Sequence, residues 1–496
     1  MRVTFDYDKG RKLGIIKSSS LDTIREHFSE KDETAKIRKK VSGFRYIPER
    51  NYCITKGGKY QLGLTFDIIK FIKNSSPYHK IDFTPEFKEV FICGYDFHDQ
   101  PLKELTKPDK YQERFYQPES IKRGLKIGNG IFLFKTAAGK TYISAQLIGT
   151  VRKYQENVKT LIVVPTVQLV KQTFTDFKSY GIDPKDMCKW HGGQKLDTDA
   201  PIVIANIGIL QSDSSDLSFI EDIGLFILDE CHILKKSNKI NKVLKHVKTY
   251  NRFAFTGTLP DTLIDQWNVI GKIGPVLYQL SRQEMVDNNF ISDAEIKNIC
   301  VHYAEGPEYQ DAPEYTESGE EKPKDPLKNY NIENRFIERS SFRNNIIKKI
   351  CAKLEKNVLI VIERIEHGET LEEILSEIKG KRVFFIRGEV EVDDREKCKQ
   401  IMEEEDNIIC IAISKIFSTG INIKNLHYII FGSAGKAKIK IIQSIGRGVR
   451  LHANKALLII FDIADMLRYG KKHLLKREEI YEEEGFKIKR IDIKET

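Results

Sequence analysis

Ile131-Phe132-Leu133-Phe134-Lys135-Thr136-Ala137-Ala138-Gly139-Lys140-Thr141 is an apolar run that breaks into small residues and ends in Gly-Lys-Thr. It reads as a buried strand, Ile131 to Phe134, that feeds a tight turn and then a helix starting near Lys140. Such a turn aims backbone N–H groups at a phosphate, and the helix adds the positive end of its dipole. Lys140 would then reach the β- and γ-phosphates, and Thr141 would offer its hydroxyl to Mg²⁺. Phe134 stands where the Gly-x-x-x-x-Gly-Lys-Ser/Thr pattern wants its first glycine, so the tripeptide has to be weighed with its surroundings.

Those surroundings alternate strands and helices from residue 106 to about 285, as a parallel sheet covered on both faces requires. Tyr116-Gln117 open a helix through Ser120 to Leu125 ahead of the loop. Thr160 to Val164 is an apolar strand that runs into Pro165-Thr166, with Leu169 and Gln172 on the next helix. Pro201 to Asn206 repeats the design, and Gly224 to Asp229 repeats it with Asp229-Glu230-Cys231-His232 at the carboxyl end. Phe253 to Thr256 ends in Thr256-Gly257-Thr258. Ligands of open α/β sheets bind outside the carboxyl ends of the strands, so the phosphate loop and the acid pair should face each other. Asp229 would help hold Mg²⁺, and Glu230 would polarise a water attacking the γ-phosphate.

The 496 residues suffice for roughly three domains, each with its own core. A net charge of +10 has the sign that suits a phosphate-bearing partner. The eight cysteines stand singly, with no Cys-x-x-Cys pair, which argues for reduced thiols and against a disulfide framework or zinc ribbon. The charged start, Met1-Arg2-Val3-Thr4-Phe5-Asp6, lacks the apolar core of a signal peptide, and no apolar run is long enough to span a bilayer. A soluble cytoplasmic protein, in the host cytoplasm if viral, is expected.

Residues 1–105 read as a small α/β domain. A β-hairpin is expected from Tyr52 to Gly63, turning at Gly57-Gly58, followed by a helix whose apolar positions include Phe66, Ile69 and Ile72. Arg38, Lys39, Lys40, Phe44, Arg45, Tyr46, Arg50 and Lys56 mix cations with rings, a composition suited to backbone phosphates and stacked bases. Residues 305–334, rich in Pro and Glu, read as an exposed or disordered insertion.

A second alternating unit occupies residues 286–496, with strands at Asn357 to Ile362, Val383 to Ile386, Asn407 to Ala412, His427 to Phe431 and Ala456 to Phe461. Gln443, Arg447 and Arg450 are spaced four and three apart, hence on one helix face. Two guanidiniums there call for an anion, as an arginine finger meets a phosphate.

The ordered set of Gln117, the Lys135 to Thr141 loop, Pro165 to Gln172, Asp229-Glu230-Cys231-His232, Thr256-Gly257-Thr258, Ser418-Thr419-Gly420-Ile421-Asn422 and Gln443-x-x-Gly446-Arg447-x-x-Arg450 resembles the superfamily-2 helicases. The resemblance covers about four-fifths of the chain, and within that family Phe134 need not be glycine. Tyr116-Gln117, the Ala-Ala-Gly-Lys loop, Asp-Glu-Cys-His and Phe417 to His427 look most like the phage DNA helicases of recombination and replication restart. Thr258, where those tend to carry Ser, and the acidic insertion depart from the pattern.

The resemblance implies an α/β chain with two tandem RecA-like parallel-sheet motor domains, 106–285 and 286–496, behind the small N-terminal domain. It implies ATP bound through Gln117, Thr136, Ala137, Ala138, Gly139, Lys140, Thr141, Gly420 and Asn422, with Mg²⁺ held by Thr141 and Asp229. Catalysis would rest on Lys140, Asp229, Glu230, Gln443, Arg447 and Arg450. Single-stranded nucleic acid would cross Pro165, Thr166, Gln172, Gly192, Gly193, Asn206, Ser418 and Thr419, and Thr256, Gly257 and Thr258 would couple the two events. The expected enzyme is an ATP-dependent DNA helicase, acting as a monomer on branched or single-stranded DNA beside single-strand-binding or recombination proteins. An RNA helicase, a restriction-type translocase subunit and a catalytically dead binding module are the alternatives. The first is weakened by Asp-Glu-Cys-His in place of Asp-Glu-Ala-Asp.

Overall fold

A computed structural model describes residues 2–32, 35, 49–75, 78–91, 113–135, 138–212, 215–235, 238–260, 262–288, 290, 293–311, 327–387, 400–413, 425–433, 457–483 and 485–496. The chain divides into two compact units, residues 1–135 with 139–280 and residues 136–138 with 281–496.

The first unit begins with β1 (Arg2–Asp8), β2 (Leu13–Ser18), β3 (Ser29–Lys31), β4 (Arg50–Tyr52), β5 (Lys59–Tyr60) and β6 (Lys80–Phe83). Four of these form a sheet in the order β5-β2-β1-β6, while β3 pairs with β4. The expected hairpin is therefore corrected, because its two arms take different partners. Ile16 N–H donates to Gly58 O at 3.0 Å, and Tyr60 pairs with Gly14 on β2, so the outgoing arm is drawn to that sheet. The following helix is Thr65–Ser75, as expected, but it buries Thr65, Ile68 and Ile72 and leaves Phe66 39% exposed.

Seven parallel strands follow: β7 (Gly130–Phe134), β8 (Thr160–Val164), β9 (Met187–Trp190), β10 (Ile202–Asn206), β11 (Leu225–Asp229), β12 (Arg252–Thr256) and β13 (Val276–Leu280), in the order β13-β7-β12-β11-β8-β10-β9. Every residue of β8 is buried, as happens when both faces of a strand are covered. The small sheet packs onto this one through a continuous core, in which Phe28 meets Trp267 with ring centroids 5.4 Å apart. At Gly63 the backbones come so close that an added Cβ would lie 2.1 Å from Ile270 O, which only glycine permits.

The second unit holds a further seven parallel strands: β14 (Asp293–His302), β15 (Val358–Ile362), β16 (Arg382–Ile386), β17 (Ile408–Ile413), β18 (Tyr428–Phe431), β19 (Leu457–Asp465) and β20 (Lys487–Lys494). Their order is β16-β17-β15-β18-β19-β14-β20. The Pro- and Glu-rich stretch, expected to be exposed or disordered, is largely exposed over residues 305–311 and turns helical at its far end. A helix starts at Lys328, and Asp311 carries an ion pair of 2.8 Å from Arg468. Glu333 is buried because its carboxylate accepts the Tyr469 and Gly470 N–H groups at the start of the helix Gly470–Glu483. Among the described residues, no helix is long and apolar enough to cross a membrane.

Candidate active site

The carboxyl edge of the first large sheet gathers the polar ends that its strands were expected to carry. Register sets Thr256 beside Leu133 and Asp229 beside Phe255, so β7, β12 and β11 deliver their ends to one edge. Beyond β7, Gly139 takes a left-handed conformation with φ of 79° and precedes the helix Lys140–Tyr154. A side chain there would be strained, and that turn delivers Lys140 at the helix start.

Lys140 Nζ donates to Glu230 Oε1 at 3.1 Å, so the loop and the acid pair do face each other. Glu230 has φ of 51°, a conformation that non-glycine residues seldom adopt and that gathers at functional sites. Its own N–H donates to Asp229 Oδ1 at 3.0 Å, which ties the two carboxylates into one turn. Burial opposes charge on both Lys140 and Glu230, but their mutual attraction prevails. Glu230 and Asp229 raise Lys140 above its ordinary value, while Lys140 and His232 hold Glu230 well below the usual carboxylate range. In this arrangement Glu230 is a weak base, and it becomes stronger when Lys140 turns to another anion.

His232 extends the group. Its Nδ1 lies 3.0 Å from Thr256 Oγ1 and 3.3 Å from Glu230 Oε2. Thr256 Oγ1 donates its one proton to Thr258 O at 2.8 Å, so toward His232 it accepts, and Nδ1 carries the hydrogen. The acid turn is thereby linked to the Thr256-Gly257-Thr258 segment. In the sequence His232 carries no role of its own; its place two residues past Glu230, ahead of a Thr-bearing strand end, is the available signal.

The other expected positions fall as follows. Gln117 is fully buried, and its Oε1 accepts the Arg114 N–H at 2.9 Å, which fixes the start of the helix Tyr116–Ile127. Ala138 is buried and Thr141 half-buried. Thr166 caps the helix Val167–Ser179, and Asn206 donates to Pro165 O at 2.9 Å while capping Gly208 N–H, so the ends of β8 and β10 are joined. Gln172, Gly192 and Gly193 are exposed beyond β8 and β9. Thr136, Ala137, Ser418, Thr419, Gly420, Asn422, Gln443, Arg447 and Arg450 lie outside the described residues, as do Arg38, Lys39, Lys40, Phe44, Arg45 and Tyr46.

Two parallel sheets, the first bearing a phosphate loop whose lysine contacts a strand-end acid pair, define a nucleotide-hydrolysing motor. Residues 106–261 match the family described as the type III restriction enzyme res subunit, and residues 343–452 match the helicase conserved C-terminal domain. The chain belongs to the superfamily-2 helicases and is an ATP-dependent enzyme of that group.

Its relatives are named more particularly. It is 27% identical over 454 residues to the ATP-dependent DNA helicase uvsW of Enterobacteria phage T4, covering 86% of each chain. It is 23% identical over 384 residues to the DNA 3'-5' translocase XPB2 of Sulfurisphaera tokodaii, covering 71% of this chain and 81% of that one. The solved structure of the DUF1998 helicase MrfA bound to DNA shares the fold, with a TM-score of 0.52 at 14% identity over 78% of this chain and 51% of that one.

Proposed function

We propose that this protein is an ATP-dependent DNA helicase that unwinds and remodels branched DNA, forks, junctions and displaced-strand loops, and promotes strand annealing in recombination, repair and replication restart. The observation that carries the reading is the Lys140–Glu230 contact at the carboxyl edge of a parallel sheet, with His232 bridging to Thr256. Likeness over 86% of the chain to a phage DNA helicase supports the choice of DNA.

Lys140 exchanges Glu230 for the β- and γ-phosphates of ATP, and the freed carboxylate of Glu230 orients the attacking water and accepts its proton. Asp229, close enough to Lys140 to raise its pKa, and the Thr141 hydroxyl suit Mg²⁺, which takes hard oxygen ligands beside those of a bound triphosphate. When bound, the ion supplies neutralisation of charge on the transferring phosphoryl group. Gln117, Thr136, Ala137, Ala138, Gly139, Gly420 and Asn422 complete the nucleotide site, and Gln443, Arg447 and Arg450 contribute polar and positive groups to hydrolysis. His232 and Thr256 sense the state of Glu230 and pass it to Gly257-Thr258. Pro165, Thr166, Gln172, Gly192, Gly193, Asn206, Ser418 and Thr419 contact the strand. The enzyme works as a monomer in the cytoplasm beside single-strand-binding or recombination proteins.

The test is ATPase stimulation compared across single strands, forks, four-way junctions and RNA. Forks and junctions should stimulate turnover most. Equal stimulation by RNA would replace this reading with an RNA helicase, and no stimulation by any nucleic acid would leave a motor of another kind.

A further inference from the structure

The opposite, amino-terminal edge of the first large sheet carries a cavity of about 420 Å³ between that sheet and the small N-terminal one. Asn129, Arg252 and Pro275, at or just before the starts of β7, β12 and β13, contribute to it, so it lies at the far end of the strands from Lys140. Its lining includes six cations, Arg11, Lys12, Lys245, Lys248, Arg252 and Lys272, and no Asp or Glu. From outside the lining, the Glu221 carboxylate pairs with Lys248 and acts on Lys12, and that of Asp8 acts on Arg11. Arg252 donates to the carbonyls of Val247, Thr249 and Lys272 at 2.8 to 2.9 Å. Lys272 reaches the Asn241 side-chain oxygen, which is neutral.

Six cations therefore face this cavity, with the carboxylates of Glu221 and Asp8 lying outside its lining. Burial, together with Lys245 and Arg252, pulls the Lys272 ammonium down to about 8, and Lys12 is lowered by burial and by Arg252 and Lys248. A site of this kind gains when an anion enters. The rest of the wall mixes the amides of Gln61, Asn129 and Asn241 with apolar side chains, among them Phe66 and Phe91, set 4.8 Å apart between centroids, and Phe66 is 39% exposed. That wall suits a planar organic group beside the charge, and the volume falls in the range of small-molecule sites.

We propose that this cavity is a second phosphate site, one that takes a nucleotide 5′-phosphate against Lys12, Lys245 and Lys272 with the base on Phe66 and Phe91. The ligand is a free mononucleotide or the phosphorylated end of a strand, which share that chemistry. The site stands apart from the hydrolytic one and does not depend on the activity assigned there.

The experiment uses the full chain carrying Lys140→Ala, so that the phosphate loop does not compete. Calorimetric titration with thymidine monophosphate, with a 5′-phosphorylated trinucleotide and with the same trinucleotide bearing a 5′-hydroxyl separates the sources. Saturable binding of the mononucleotide identifies a free nucleotide, and binding of the phosphorylated trinucleotide alone identifies a strand end. In either case Lys12→Gln with Lys272→Gln should weaken binding by about tenfold or more, the size expected for lost charge-assisted hydrogen bonds. Lys245→Gln, on the exposed rim, should weaken it less and keeps the test valid if the double variant does not fold. No saturable binding, equal binding of the hydroxyl trinucleotide, or affinities that these variants leave within about twofold would overturn the proposal.

Discussion

The two seven-stranded sheets share one architecture and use their charges in opposite ways. In the first, Lys140 and Glu230 meet at the strand ends with side chains 15% and 33% exposed. In the second, Arg343 with Asp465 and Arg477 with Asp462 lie inside, both carboxylates at 0% exposure on β19. Tyr303 and Tyr481 add hydroxyl donors to those carboxylates at 2.6 and 2.9 Å. The exposed pair can exchange partners, so it suits chemistry. The buried pairs are held by fixed neighbours, with only Nη1 of Arg343 and of Arg477 lacking a hydrogen-bond partner among the described residues of these pairs, so they suit packing.

Replacing Lys140 by Ala or Glu230 by Gln should break the comparison on the side of activity, and it is the largest effect expected. DNA-stimulated phosphate release should fall by on the order of a hundredfold to a thousandfold or more, the scale of a lost preorganised charge. The unfolding midpoint should move little, because a partly exposed ion pair contributes little to stability. Near-parental turnover in either variant would remove these residues from their proposed roles.

The buried pairs should give the converse result. Asp465→Asn strands the Arg343 guanidinium at 0% exposure and should cost about 3–5 kcal/mol in chemical denaturation. Turnover per folded molecule should stay close to the parent's. A loss below about 1 kcal/mol would show that the pair is replaceable, as some buried ion pairs are.

How the N-terminal sheet is fixed gives a smaller effect. Gly63→Ala forces a methyl against Ile270 O and should cost about 1–3 kcal/mol, the range of overpacked sites, as measured by thermal unfolding. Because the core of the small sheet runs into that of the first motor sheet, one cooperative transition should shift as a whole. A separate early transition would mean that the small sheet unfolds alone.

These features were unequally legible in the sequence. Strands buried on both faces, such as β8 and β15, are continuous apolar runs, and their positions were read directly. The approach of Lys140 to Glu230 followed from the rule that strand ends converge. Pairing in the small sheet did not show, because β5 has two residues and its partner β2 lies some forty positions earlier, where no local turn signal reaches. Spacing placed Phe66 among the apolar positions of its helix, but Thr65, with its hydroxyl donating to Leu62 O at 2.6 Å, takes the inward face. The basic cavity was invisible for a related reason. Its lysines and arginines come from segments near residues 11, 245 and 272, each unremarkable until the fold brings them together.

The smallest effect tests the cavity edge of the first sheet against its catalytic edge. Glu230 is held ionised by a partner, whereas Lys272 is lowered by burial and then by Lys245 and Arg252, and their pH dependences have different origins. Lys272 has a folded value of about 8 against an ordinary 10.5, so the unfolded chain holds this proton more tightly. Below about 8 both states are protonated and the folded state bears the full cost of a partly buried charge beside other cations. Raising the pH from about 8 to 10.5 relieves it, and the stability so gained is lost again as pH falls through the folded value. Lys272→Met removes the charge, so the variant should exceed the parent in stability below about 8, by no more than about 1 kcal/mol for a partly buried group still screened by solvent. That advantage should vanish above 10.5. Paired denaturation curves across this window decide it, and an advantage that does not change with pH would mean that neither burial nor the cations at this edge perturb Lys272.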